Sequence, residues 1–237
     1  MDKQPKTLII IPAYNEGDNL LQVIENIQQC CPQWDYLVVN DGSTDHTEDL
    51  CARHNICAVH LPINLGIGGA VQTGYRYAFK NHYDIAVQID GDGQHDVAFL
   101  GDMLRPLIRQ EADIIIGSRF ISKEGFQSSP LRRAGIRFLS RLIQLCTGIR
   151  IYDVTSGFRA VNQKFIRLYA EQYPTDYPEP EAIIAAVMHR GRIKEVPVIM
   201  RQRESGSSSI HGFNSAYYMI KVSLSILICR ITFGIRR

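Results

Sequence analysis

The sequence has no CxxC pair and no cysteine–histidine spacing of a zinc site, although six cysteines occur, at positions 30, 31, 51, 57, 146 and 229. Their spacing excludes a zinc module and a thioredoxin-like redox pair. The thiols read as small buried residues of a reducing compartment. An excess of one charge is also missing: 26 Lys and Arg against 24 Asp and Glu leave a net +2. There is then no overall field for a polyanion, so no nucleic-acid partner is expected, and affinity for a membrane surface has to come from a local patch. No run reaches the roughly 18 uncharged apolar residues that span a bilayer. The nearest, 217–237, is interrupted by Lys221 and Arg230. MDKQPK leads straight into a strand-like run without the features of a signal peptide, so a cytoplasmic location is expected.

What is present fits one large α/β domain: 237 residues, 45% hydrophobic and 21% charged. TLIII (7–11), YLVV (36–39), CAVHL (57–61), IAVQI (85–89) and DIIIG (113–117) are apolar runs, as in strands covered on both faces. Between them Leu20, Leu21, Ile24 and Ile27 recur at helical spacing, and 68–80 and 97–109 read as helices. Asp45 with Glu48 predicts a capping box. The alternation predicts a doubly wound, mostly parallel sheet. Beyond residue 120 the pattern loosens. A basic amphipathic helix (131–146) carries Arg132, Arg133, Arg137 and Arg141. SGFRA is a turn into another element, YPTDYPEPE a proline-broken acidic loop, 194–200 a strand and ESGSSS a flexible loop.

AVQIDGDGQHD ends an apolar strand in three carboxylates with no Lys or Arg among them. In an open parallel sheet, ligands bind beyond the carboxyl ends of the strands. Asp90 and Asp92 stand there, one residue apart, where both can offer oxygen to a hard cation such as Mg²⁺ or Mn²⁺. A calcium EF-hand fails, because counting from Asp90 puts His95 at loop position six and Gly101 at twelve. PAYNE and NDGSTD follow the first two strands and fall on the same edge. Tyr14 can stack on a base, and Asp41 can accept the ring N–H of uracil, thymine or guanine. Base, ribose and diphosphate would then lie across the strand ends.

TLIIIPAYNE, VVNDGSTD, NLGIGGA, QIDGDGQHD, IIGSRF, TSGFRA and the R-x-x-G-x-S of RESGSS occur in one order. They resemble the family 2 glycosyltransferases of the GT-A fold, in the branch similar to dolichol-phosphate mannose synthase and bacterial polyprenyl-phosphate glycosyltransferases, over roughly residues 6–210. The resemblance implies a Rossmann-like nucleotide-sugar half (about 1–120) and an acceptor half (about 121–212) in one domain, then an apolar, basic helix (213–237) for membrane or oligomer contact. It implies that Pro12, Tyr14 and Glu16 cradle the nucleotide of a UDP-, dTDP- or GDP-sugar and that Asp41 reads the base. Asp90 and Asp92 would be the DxD ligands of Mg²⁺ or Mn²⁺, with Gln94 a third contact. Arg119 and Arg203 would meet donor or acceptor phosphates, and Ser156 and Gly157, with Arg132 and Arg133, would line the acceptor side. Two departures stand out: Ile67 and Ser209 occupy positions where relatives often carry a basic residue.

The resemblance further implies inversion by single displacement. A polyprenyl phosphate acceptor, largely dianionic at neutral pH, needs no base. The hydroxyl of a lipid-linked glycan does, and Asp153 is then the candidate, with Glu179 and Glu181 in reserve. Asp92, Asp153 and Arg203 are thus the residues assigned to the chemistry itself. Peripheral attachment to the cytoplasmic face of a membrane is expected, through the basic helix and the tail, with a small membrane protein or a second copy as possible partner. Two alternatives are a sugar-1-phosphate nucleotidyltransferase, which usually has a Lys- or Arg-bearing glycine-rich loop that PAYNEGDN lacks, and an inactive nucleotide-sugar-binding subunit.

Overall fold

The computed structural model describes residues 4–127, 129–201 and 214–235. Seven strands form one sheet: β1 (Thr7–Ala13), β2 (Asp35–Asn40), β3 (Ala58–His60), β4 (Ile85–Gln88), β5 (Ile114–Ser118), β6 (Arg159–Asn162) and β7 (Ile193–Pro197), in the order β3-β2-β1-β4-β6-β5-β7. Nine helices accompany them among the described residues: α1 (Leu20–Cys30), α2 (Thr47–Arg53), α3 (Gly66–Lys80), α4 (Leu100–Ile108), α5 (Arg119–Ser122), α6 (Pro130–Thr147), α7 (Gln163–Glu171), α8 (Pro178–Met188) and α9 (Asn214–Ile235).

The apolar run of β1 is buried throughout because helices cover both faces of the sheet. Leu8 and Ile10 pack into one core with α3, α6, α7, α8 and α9, and Ile9 and Ile11 into a second with α1 and α4. Approach on the first side is close: a Cβ on Gly74 of α3 would lie 2.2 Å from Ile10 Cγ2, so only glycine lets this helix settle on β1. The expected doubly wound, mostly parallel sheet is the one observed.

SGFRA leads, as expected, into another element: β6, a four-residue strand that runs antiparallel between β4 and β5. Other local expectations are corrected. PEPE is not a loop but the first turn of α8, where proline is tolerated because the N–H it lacks has no partner inside the helix. The capping box at Asp45 does not form. The helix starts at Thr47, and Asp45 instead accepts the Thr47 N–H and hydroxyl through Oδ1 and the Gly17 N–H through Oδ2. The stretch 97–109 opens as a 3₁₀ turn before α4, and the last strand ends at Pro197. ESGSSS and Arg203 lie outside the described residues.

Asp113, just before β5, ties the strand edge together. Its carboxylate accepts two bonds from the Arg192 guanidinium (both 3.1 Å), the Arg192 N–H (2.8 Å) and the Asn162 amide (2.9 Å). Bonding to Arg192 holds this carboxyl below the usual range, against the opposing effect of partial burial. The folded pKa is depressed, so this stability is present above the unfolded value near 4 and is lost as pH falls through the folded value. Asp113→Asn is expected to cost about 1 kcal/mol at pH 7, a value discounted for the exposed Arg192. Urea titrations at pH 7 and below pH 3 would show the gap from the wild type closing with acid.

Candidate active site at the sheet edge

Parallel pairing of β2, β1 and β4 brings their carboxyl ends to one edge, as does the parallel pair β5 and β7. β6 runs the other way, with Arg159 opposite both Gln88 and Ile116, so the turn before β6 arrives at that same edge. PAYNE, NDGSTD, the DxD loop, Arg119 and the Ser156–Gly157 turn therefore converge.

The first two loops are laced together. Asn15, left-handed at φ 56°, accepts the Thr44 N–H (2.8 Å) and the Asp45 N–H (3.3 Å), and its own N–H meets Ser43 Oγ at 3.0 Å. Tyr14 beside it is exposed, as a stacking platform requires. Asp41 is buried; its Oδ1 accepts the Leu65 N–H at 2.7 Å. Burial pushes its carboxyl up, and bonds from the Leu65 and Gly66 amides pull it back. Pro12 and Glu16 border the third loop: a Cβ on Gly91 would sit 3.2 Å from the Pro12 carbonyl and 3.6 Å from Glu16 Cγ.

In the DxD loop Gly93 takes φ +77°, which lets the chain turn back between the carboxylates, and Asp92 Oδ1 accepts the Gln94 N–H at 3.0 Å. A Cβ on Gly157 would fall 3.0 and 3.2 Å from the two Asp90 oxygens, so glycine there keeps the approach to Asp90 open. Asp90, Asp92 and Gln94 bring two carboxylates and an amide oxygen to one loop, and these are residue types that hard cations such as Mg²⁺ or Mn²⁺ take as ligands. No group of three His, Cys, Asp or Glu side chains among the described residues could hold a metal by itself.

Sequence reasoning missed His95. It is buried and stacked on Phe158 (centroids 4.8 Å, 15° between planes), and its Nδ1 accepts the Asp90 N–H at 3.0 Å. Burial pushes its pKa down to about 4, so the ring is neutral and carries its proton on Nε2, 3.6 Å from Asp90 Oδ2. His95 thus fixes the DxD loop against the segment that follows the Ser156–Gly157 turn. The loop is also sewn to the chain beyond β7: Arg201 gives its N–H to the Gln94 carbonyl (2.9 Å) and its guanidinium to Asp96 (2.9 Å).

Arg159 was missed too. Its buried guanidinium bonds the carbonyls of Ser156 (2.7 Å), Glu179 (2.7 Å) and Val154 (3.1 Å), which shapes the Ser156–Gly157 turn. Ser156 itself is buried, and its hydroxyl accepts the Phe158 N–H, so it braces the turn from inside. Arg132 and Arg133 stand in the first turn of α6, on a different element from the donor loops.

Asp153 and Arg119, expected as base and phosphate contact, are paired with each other. Asp153 is fully buried, and its oxygens receive Arg119 Nε and Nη2, each at 2.7 Å, and the Arg119 N–H at 3.1 Å. A base must reach the acceptor's proton, whereas this carboxylate is enclosed by its partner. Arg119 is also buried and gives its guanidinium to Asp153 and Thr155. Glu195 braces the same segment by accepting the N–H groups of Tyr152 and Asp153, both at 2.8 Å. Of the reserve carboxylates, Glu181 bonds Ser225 on α9, while half-buried Glu179 lies in the fields of Arg159 and Asp90. Burial pushes both carboxyls up.

Fold and site together define a glycosyltransferase of the GT-A class. Among solved structures, glucosyl-3-phosphoglycerate synthase from Mycobacterium tuberculosis, in complex with Mn²⁺, UDP-glucose and phosphoglyceric acid, shares the fold with TM-score 0.71. It is 19% identical, and the alignment covers 95% of this chain and 80% of that one. Residues 8–169 match the model of glycosyl transferase family 2, and the chain belongs to that family. Similar relatives include polyprenol monophosphomannose synthase of Mycolicibacterium smegmatis, 29% identical over 92% of this chain and 86% of the relative. The UDP-N-acetylglucosamine–dolichyl-phosphate N-acetylglucosaminyltransferase of Methanococcus voltae is 30% identical over 91% and 95%. The undecaprenyl-phosphate mannosyltransferase of Micrococcus luteus is 29% identical over 87% and 88%.

Proposed function

We propose that this glycosyltransferase moves a sugar, with inversion, from a nucleoside diphosphate sugar to a polyprenyl phosphate at a membrane surface. One observation carries the reading: the loops bearing Tyr14, Asp41 and Asp90–Asp92 meet the Gly157 turn at a single sheet edge. Exposed Tyr14 stacks on the base, and Asp41, anchored by Leu65, accepts a base N–H. Asp90, Asp92 and Gln94 are the residues that would hold Mg²⁺ or Mn²⁺. When bound, such a cation neutralises charge developing on the departing diphosphate. Neutral His95 fixes Asp90, and the turn shaped by Arg159 brings the acceptor to the donor. A phosphate acceptor fits a site whose candidate base, Asp153, is closed off, because a dianion attacks without surrendering a proton. The relatives named for polyprenyl and dolichyl phosphate support the same acceptor.

The test is incubation with a panel of nucleotide sugars, Mn²⁺ and a short-chain polyprenyl phosphate. Release of nucleoside diphosphate together with a glycosylated lipid is expected. Pyrophosphate release would replace the reading with nucleotidyl transfer, and no turnover with any donor would favour a binding subunit. Tyr14→Ala is expected to raise KM for the donor roughly tenfold to a hundredfold, the worth of one stacked base, with a smaller change in kcat. Initial rates over a donor series would check it.

A further inference from the structure

β4 carries one polar side chain in an otherwise apolar strand. Ile85 and Val87, with Ile89 just beyond, enter the core shared with α1 and α4, while Ala86 enters the opposite core. Side chains alternate across a strand, so Gln88 points to the side of Ala86, and Asp90 follows two residues on. Gln88 is fully buried, and neither its Oε1 nor its Nε2 has a hydrogen-bond partner among the described residues.

The neighbours account for this. On one side Gln88 stands beside Ile10 of β1, which has no polar side chain. On the other it stands opposite Arg159 of β6, whose guanidinium already serves the carbonyls of Ser156, Glu179 and Val154. Past the strand end comes Gly157, where a Cβ would lie 3.0 and 3.2 Å from the two Asp90 oxygens and 3.2 Å from Gln88 Nε2. The amide and the Asp90 carboxylate therefore border one spot, where the DxD loop meets the Ser156–Gly157 turn.

An unpaired buried amide destabilises the fold, and a methionine or leucine in its place would not. A ligand can supply the missing partner, and the orphaned atoms select its chemistry. Oε1 wants a hydrogen and Nε2 wants a lone pair. A phosphate oxygen satisfies the nitrogen alone, and Asp90 repels it wherever no cation intervenes. A hydroxyl answers both needs, giving its hydrogen to Oε1 or to Asp90 and accepting from Nε2. No hydrogen bond restrains the amide from turning toward a hydroxyl that arrives beside Gly157.

We propose that Gln88 is a specificity-determining residue that bonds one hydroxyl of the transferred sugar beside Asp90. The assignment rests on the donor arrangement proposed above: with the diphosphate at Asp90 and Asp92 and the acceptor at the Gly157 turn, the sugar lies between them. A site built to bond a hydroxyl rejects the analogue that lacks it, because the buried amide is then left unpaired.

The test is calorimetric titration, in Mn²⁺, of UDP-glucose, UDP-N-acetylglucosamine and GDP-mannose, alongside UDP and GDP. Gln88→Met is expected to weaken the sugar nucleotide that the wild type binds best roughly tenfold, with the matching nucleoside diphosphate unchanged. One deoxy analogue of that sugar nucleotide should bind wild type and variant equally. Without ligand the variant should melt at or above the wild-type temperature, since methionine keeps the volume and leaves no unpaired amide. Gln88→Leu repeats both measurements with a second apolar side chain. A marked fall in melting temperature for both variants would overturn the proposal, because the amide would then serve the fold, through a buried water for example. Equal weakening of sugar nucleotide and nucleoside diphosphate would overturn it too, making Gln88 a support for Asp90. If the wild type binds none of these nucleotides, the donor arrangement itself falls, and this assignment with it.

Discussion

Asp92→Asn is expected to lower kcat on the order of a hundredfold to a thousandfold while leaving the fold intact. Asp92 is a half-buried loop residue whose Oδ1 accepts the Gln94 N–H, and an asparagine oxygen accepts that bond equally well. Stability should therefore stay within about 0.5 kcal/mol of the wild type. In the proposed function, the substitution removes negative charge from the set of Asp90, Asp92 and Gln94 that would hold the cation. Mn²⁺ titration followed by electron paramagnetic resonance should show affinity falling with activity. Full activity with unchanged Mn²⁺ binding would show that Asp92 has no part in holding a cation.

The second large effect is on stability. Arg119→Ala is expected to cost about 3–5 kcal/mol, because the buried Asp153 loses the guanidinium that neutralises it. For a chain of this size that is a fall of roughly 6–20 °C in melting temperature. The paired replacement Arg119→Met with Asp153→Leu should recover most of this loss, since no buried charge then lacks its partner. Calorimetry on the single and double variants separates this account from an acid–base role. A base at Asp153 predicts instead that Asp153→Asn keeps the melting temperature and abolishes the acid limb of the pH–rate profile.

These cases show where sequence speaks and where it is mute. The donor loops were legible because β-branched runs mark the strands, and a polar loop after each parallel strand has to emerge at one edge. The DxD pair was legible by the same route. β6 was not: RAVN is four residues long, and nothing in it reveals a reversal of direction. The Arg119–Asp153 pair was invisible because the partners are 34 residues apart and burial depends on both cores being assembled. His95 was read only as a failed calcium position, since its function rests on a stacking partner, Phe158, in a distant segment. The start of α8 at PEPE was readable, because proline at the opening of a helix is a start signal as well as a breaker.

The reversed strand has a consequence for biosynthesis. β4 and β5 are neighbours in sequence, yet neither touches the other; each waits for β6 to slide between them. While the ribosome is still adding the segment after residue 118, the sheet is split and three strand edges lie open, one of β4 and both of β5. A chain arrested there presents β4 and β5 as adhesive borders, so nascent fragments of this length should be captured by chaperones and released once β6 and then β7 have emerged.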